Sequence, residues 1–264
     1  MVWKTFAARS TGSSHQFTNT PCQDAYLVEN PSQDILLIAI SDGAGTASRS
    51  SDGSTRIVEA SLKSIKTSLS DQEDLFQIDP NFISGVISKS FLDAQIDIIS
   101  FADTESVNLK EFSATLSIVA LIGDWVAFGQ IGDGVVVVET EIGEFTTKTR
   151  PQRGEYVNET TFITSENLQK KIEVVVEKAS YHSITVMTDG LLSLATKLDK
   201  NEAYNPFFAP LLTYFRTFED AEAGSRKLGE LLESEQVSKK SDDDKSLVIA
   251  INEKLLDPKS NRID

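Results

Sequence analysis

Ile35-Leu36-Leu37-Ile38-Ala39-Ile40-Ser41-Asp42-Gly43-Ala44-Gly45 reads as a strand that runs straight into an acid. The aliphatic run leaves no polar face, the pattern of a central strand covered on both sides. A carboxylate at its end sits where a rigid sheet meets solvent. Two further runs share the feature. Ser183 to Asp189-Gly190 ends on an acid, and Ser241-Asp242-Asp243-Asp244-Lys245-Ser246 opens the apolar run to Ile251 with one. Several such ends gathered at one place make a site for a hard divalent cation, which prefers oxygen ligands.

Around these runs the texture alternates. Residues 2–8 and 25–30 read as short strands. Ile57, Val58, Leu62, Ile65 and Leu69 recur at helical spacing, as do Ile83, Ile87, Phe91, Ala94 and Ile98, with Asp79-Pro80 opening the second helix. A β-rich stretch follows. Phe112 to Ile122, Trp125 to Ile131 and Val135 to Glu139 are separated by Gly123-Asp124 and Asp133-Gly134, turn signals that predict an antiparallel meander. Glu144 to Thr149 and Lys171 to Val176 extend that meander, and 150–170 is polar without clear period. Asn205 to Phe218 and Asp220 to Ser234 read as helices, and Glu233 to Lys245 as a charged loop. The sum is an α+β domain: two antiparallel sheets stacked face to face and flanked by helix pairs, a four-layer α-β-β-α sandwich. With no repeat or linker in view, one domain is expected over 1–264, its core about 2–253 and its tail 256–264.

Bulk properties narrow the function. The chain has 264 residues, 40% of them hydrophobic, enough for a sizeable core. A net charge of −15 repels phosphate backbones and anionic lipid, so neither nucleic acid nor membrane is an expected partner. The single cysteine, Cys22, excludes an internal disulfide and a thiolate metal site. Cys22 reads as a small packed residue, since no positive cluster lowers its pKa. The N-terminus lacks the apolar core of a signal peptide, and no stretch approaches the ~20 apolar residues that span a bilayer. The expectation is a soluble, cytoplasmic monomer.

The order of the acidic motifs is more specific than any one of them. Cys22-Gln23-Asp24-Ala25, Ser41-Asp42-Gly43-Ala44-Gly45, Ser113-Ala114-Thr115-Leu116, Gly132-Asp133-Gly134, Thr188-Asp189-Gly190-Leu191 and Asp243-Asp244-Lys245-Ser246-Leu247-Val248 follow one another along the chain. This series resembles the metal-dependent protein phosphatases of type 2C, in their bacterial branch, over about residues 8–252. The resemblance implies the α-β-β-α sandwich. It also implies a serine/threonine phosphatase that hydrolyses phosphate monoesters with a metal-bound water at a binuclear Mg²⁺ or Mn²⁺ centre, without a phosphoenzyme. Carried over, Asp42 bridges both ions and the Gly43 carbonyl binds one. Asp189 and Asp243 hold the other, with Asp244 as the alternative to Asp243. Asp24 acts through bound water, and Asp133 with Asp189 can hold a third ion. Asp42 and Asp189 are then the catalytic residues, and a phosphoprotein is the substrate.

The chain departs from the family pattern at three places. Gln23 stands where an acid is common, Ala44 where a histidine is common, and the arginine that grips substrate phosphate is absent. His15 or Arg9 is the candidate replacement for that arginine, with His15 preferred. These departures keep an alternative open, a non-catalytic, metal-stabilised module that binds phosphoproteins in signalling. A hydrolase for small phosphate esters is a third reading.

Overall fold

A computed structural model describes residues 3–72, 74–152, 160–197 and 202–256. In chain order the elements are β1 (Trp3–Ser10), α1 (Ser13–Thr18), β2 (Ala25–Ser32), β3 (Ile35–Ser41), α2 (Ser50–Leu69) and α3 (Pro80–Glu105). Next come β4 (Leu116–Ile122), β5 (Trp125–Ile131), β6 (Val135–Thr140), β7 (Phe145–Thr147), β8 (Glu173–Lys178) and β9 (Tyr181–Met187). The chain ends with α4 (Leu192–Ala195), β10 (Thr196–Lys197), β11 (Glu202–Ala203), α5 (Asn205–Phe215), α6 (Ala221–Leu232), α7 (Glu235–Ser238), β12 (Lys245–Asn252) and α8 (Glu253–Leu256). One antiparallel sheet has the order β2-β3-β4-β5-β8 and the other β1-β12-β9-β6-β7.

Strand β3 explains the layering. Alternate side chains leave opposite faces of a strand. Ile35, Leu37 and Ala39 join the core beneath α2 and α3, where Ile57, Leu62, Ile87 and Phe91 also lie. Leu36, Ile38 and Ile40 face the other way and meet Val136, Ile184, Val186 and Val248 of the second sheet. The outer face of that second sheet packs Phe6, Val137, Leu247 and Ile249 against Phe208, Phe215 and Leu228 of α5 and α6. The result is the expected α-β-β-α sandwich. Helix α6 lies close on β1 because Gly224 has no side chain; a Cβ there would meet the Phe6 ring at 2.3 Å. Helix α3 begins as the sequence indicates, with Pro80 in its first turn and the Asp79 carboxylate accepting the Asn81 N–H at 2.8 Å.

The meander needs correction. β4 and β5 form a hairpin around Gly123-Asp124, but β6 pairs with β9 and β7 in the opposite sheet. Gly132-Asp133-Gly134 is therefore a crossing between sheets, not a hairpin turn. Gly132 takes φ 105°, which a side chain would strain. The Gln130 amide holds the crossing by donating to the carbonyls of Gly132 at 2.9 Å and Gly134 at 2.8 Å. The continuation also divides: β7 stays with β6, while β8 returns to pair with β5. The charged loop contains the short helix α7. The expected tail 256–264 lies, beyond Leu256, outside the described residues, as do positions 153–159 of the polar stretch.

Candidate metal centre

The crossing and four strand ends meet at one edge of the sandwich. Asp42 follows β3, Asp133 lies between β5 and β6, and Asp189 follows β9. One carboxylate oxygen from each lies within 4.8 Å of the others. Asp24, just before β2, is 1% exposed beside them, and exposed Asp243 approaches from the segment before β12.

Each acid is held by its neighbours. The Thr115 N–H donates to the Asp42 carbonyl at 2.8 Å, and the Asp42 N–H donates to the Thr115 hydroxyl at 2.9 Å. Ser41 Oγ donates to the Thr115 carbonyl at 2.6 Å. The Ser113-Ala114-Thr115 segment is thus the clamp on the end of β3. Thr188 plays the same part on the other side. Its hydroxyl donates to Asp24 Oδ2 at 2.8 Å and accepts the Ser246 N–H at 2.9 Å. Asp133 Oδ2 accepts from the Thr160 hydroxyl at 2.7 Å.

The glycines after the acids serve packing first. A Cβ on Gly190 would fall 2.0 Å from the Asp244 carbonyl oxygen, and one on Gly43 would fall 2.7 Å from the Gln23 carbonyl oxygen. The bare backbones let Asp189 approach the start of β12 and Asp42 approach the Asp24 segment.

The electrostatics follow from the crowding of buried acids. Burial, then Asp24, Asp189, Asp133 and Asp243, pushes Asp42 well above the ordinary carboxylate range. Burial, then Asp133 and Asp243, pushes Asp189 up to about 7. Burial also raises Asp133, and lifts Asp24 to about 6 against its bond from Thr188. Taking several carboxylates out of water at short range disfavours their charged forms. Two carboxylate oxygens, Asp24 Oδ1 and Asp133 Oδ1, are buried with no hydrogen-bond partner. Orphaned buried acceptors in an oxygen-only cluster fit a hard divalent ion, which would satisfy and neutralise them.

Asp243 and Asp244 have different surroundings. Asp244 is 2% exposed, and its oxygens accept the Gly12 N–H at 2.7 Å and the Gln23 N–H at 2.6 Å. His15 Nδ1 lies 3.0 Å from Asp244 Oδ2. The Asp244 carboxylate is committed to joining three segments, whereas Asp243 adds its charge to Asp42, Asp133 and Asp189. Buried Lys245 donates from Nζ to the Asp243 carbonyl at 2.5 Å and fixes that short segment. His15 is turned to Asp244, not to the cluster. Arg9 Nη1 donates to the Asp24 carbonyl at 2.6 Å, so it braces the backbone of an acid. Cys22 is half-buried, and its thiol is pushed up to about 12 by burial and then Asp24, as befits a packed residue. In the sequence the supports Thr115 and Thr188 stand out only as parts of motifs. Neither a threonine's burial nor its partner can be read from local sequence.

Among the described residues no helix is long and apolar enough to cross a membrane. A sequence model of the family described as Protein phosphatase 2C matches residues 11–233. Serine/threonine-protein phosphatase 3 of Escherichia coli is 28% identical over 257 residues, covering 95% of this chain and 99% of that protein. Two solved structures share the fold. Serine/threonine phosphatase Stp1 from Staphylococcus aureus superposes with a TM-score of 0.64 at 14% identity, covering 96% of each chain. The S. agalactiae serine/threonine phosphatase superposes with a TM-score of 0.65 at 15% identity, over 95% of this chain and 99% of that one.

Proposed function

We propose, for a chain that belongs to the protein phosphatase 2C family, that it is a metal-dependent protein serine/threonine phosphatase hydrolysing phosphate monoesters. The observation that carries this reading is the meeting of Asp42, Asp133 and Asp189 within 4.8 Å, beside buried Asp24 and exposed Asp243.

In this reading Asp42 and the Gly43 carbonyl, with Asp189 and Asp243, would hold two ions. Asp133 with Asp189 offers a third, weaker position. Asp24, whose Oδ1 is buried without a partner, would serve the same ions through water. Oxygen-only donors, with no sulfur or imidazole at the cluster, favour Mg²⁺ or Mn²⁺. Such ions supply a nucleophilic water at neutral pH and neutralise charge on the phosphoryl group.

The chain's own residues do the rest. Thr115 keeps the Asp42 carboxylate on its line, and Thr188 orients Asp24 through Oδ2. Ala44 offers no proton, so the leaving oxygen takes one from water in the cleft. His15 is best assigned to steadying Asp244, a support for the Cys22-Gln23-Asp24 segment, and not to gripping phosphate. The substrate is a phosphoprotein, with no nucleic-acid or membrane partner. A cytoplasmic monomer is the simplest setting for that activity.

The test is hydrolysis of p-nitrophenyl phosphate and a phosphothreonine peptide with added Mn²⁺, beside an Asp42→Ala protein and an EDTA control. Turnover in the parent alone is the expected result. Equal rates in parent and Asp42→Ala, or turnover in excess chelator, would remove the reading. A phosphopeptide bound but never hydrolysed would favour the binding module.

A further inference from the structure

The segment 160–165 is a strand of neither sheet, yet it reaches the aspartate cluster. Thr160 Oγ1 donates to Asp133 Oδ2 at 2.7 Å, which leaves Asp133 Oδ1 buried and without a partner. Thr164 Oγ1 lies 2.8 Å from Ser113 Oγ, and the Ile163 N–H donates to the Ala114 carbonyl at 2.9 Å. Ser113 and Ala114 lead directly into Thr115, the clamp on Asp42. The segment thus sets the side chain of one acid and rests against the backbone support of another.

Outside a sheet, the carbonyls of such a segment need donors from elsewhere. One side chain supplies two of them. Gln95 Nε2 donates to the Ile163 carbonyl at 2.7 Å and to the Ser165 carbonyl at 2.9 Å. A primary amide carries two N–H bonds, so one nitrogen can serve both oxygens. Gln95 lies on α3 beside Ala94 and one turn from Phe91 and Ile98, all fully buried in the core beneath that helix. Ile163 is fully buried in the same core. The amide therefore ties the segment to a helix that is fixed by its own packing. Asp133 is then oriented at one remove: Gln95 holds residues 163–165, and the chain three residues before Ile163 places Thr160 on the carboxylate.

We infer that Gln95 is a positioning residue for the divalent-ion position at Asp133: by fixing residues 163–165 it keeps Thr160 on Asp133 Oδ2 and leaves Oδ1 to the ion. The inference rests on the phosphatase reading of the cluster and adds a residue to it. Groups that orient a ligand without touching the metal change its affinity by roughly 10–100-fold when removed. Gln95 acts through one further residue, so its effect belongs at the lower end of that range.

The experiment is a calorimetric Mn²⁺ titration of the chelator-stripped full-length protein, with Asp133→Ala identifying the binding step that belongs to Asp133. Gln95→Met keeps the length of the side chain and removes both donors. It should weaken that step by roughly tenfold and leave the tighter binding at Asp42, Asp189 and Asp243 within about twofold of the parent. Thr160→Val should weaken the same step. Because both residues act on one link, the double variant Gln95→Met/Thr160→Val should lose no more than the worse single variant. Gln95→Lys returns a donor at the same place and should recover most of the loss. Four results overturn the inference: an unchanged Asp133 step in Gln95→Met, an equal loss at every step, additive losses in the double variant, or a parent titration identical to that of Asp133→Ala. Failure of the parent to turn over p-nitrophenyl phosphate would remove the phosphatase reading instead, and the titrations would still decide the role of Gln95.

Discussion

Thr115 and Asp42 exchange two hydrogen bonds, the Thr115 N–H giving to the Asp42 carbonyl at 2.8 Å and the Asp42 N–H to the Thr115 hydroxyl at 2.9 Å. The pair fixes the backbone of the central acid where β3 meets the cleft. Thr115→Val keeps the shape and removes the acceptor, leaving a buried N–H unpaired at a cost of roughly 1–3 kcal/mol. Thr115→Ser restores the hydroxyl and recovers most of that loss. Urea unfolding of the three proteins checks the order, and Mn²⁺ titration should show weaker binding in Thr115→Val.

The neighbours Asp243 and Asp244 should separate cleanly. Asp244→Ala strands the Gly12 and Gln23 N–H groups in the interior, so stability falls by about 3 kcal/mol or more. Asp243→Ala alters an exposed side chain and should change unfolding by no more than about 0.5 kcal/mol in EDTA. Mn²⁺ affinity reverses the ranking of interest: Asp243→Ala should lose roughly tenfold or more. Unfolding in EDTA and calorimetric Mn²⁺ titration of the folded proteins decide it. Unchanged Mn²⁺ affinity in Asp243→Ala would shift the ligand role away from that residue.

Gly190 offers a test of the packing argument. Its substitution by Ala would press a Cβ to 2.0 Å from the Asp244 carbonyl oxygen, so β9 and β12 must part. The expected cost is on the order of 3 kcal/mol, at the upper end for a single methyl group. A thermal midpoint equal to the parent's would show that the close approach is not needed.

The raised carboxylates predict how the metal-free protein responds to pH. Asp189 at about 7, Asp24 at about 6 and Asp42 above its usual range all bind protons more tightly when folded than in the unfolded chain, near 4. A raised folded pKa stabilises at low pH, and the contribution is lost as pH rises through the folded value. In EDTA the thermal midpoint should therefore fall between pH 5.5 and pH 8. Saturating Mn²⁺ should reverse the slope, since the ion competes with those protons. Calorimetry at several pH values, with and without Mn²⁺, reads both slopes.

Much of this arrangement is legible before any coordinates. The uninterrupted aliphatic run of β3 announces a strand covered on both faces, and the helical spacing from Ile57 and from Ile83 announces the layer over it. The acids at the ends of β3 and β9 are visible as strand termini. The crossing at Asp133 is not. Asp-Gly between two apolar runs has the same local chemistry in a hairpin as in a change of sheet. What decides is the Gln130 amide reaching two carbonyls and the pairing of β6 with β9, about 50 residues onward. The division of labour between Asp243 and Asp244 is hidden for a similar reason. Adjacent identical acids differ only through Gly12 and Gln23, more than 200 residues away in sequence.

The central claim is that distant acids converge to hold divalent ions in one cleft. An anomalous difference map from crystals soaked in Mn²⁺ tests it most directly. Two peaks coordinated among Asp42, Gly43, Asp189 and Asp243, with a weaker one beside Asp133, are predicted. A map with no peak in contact with Asp42 and Asp189, at Mn²⁺ concentrations that support turnover, would contradict it.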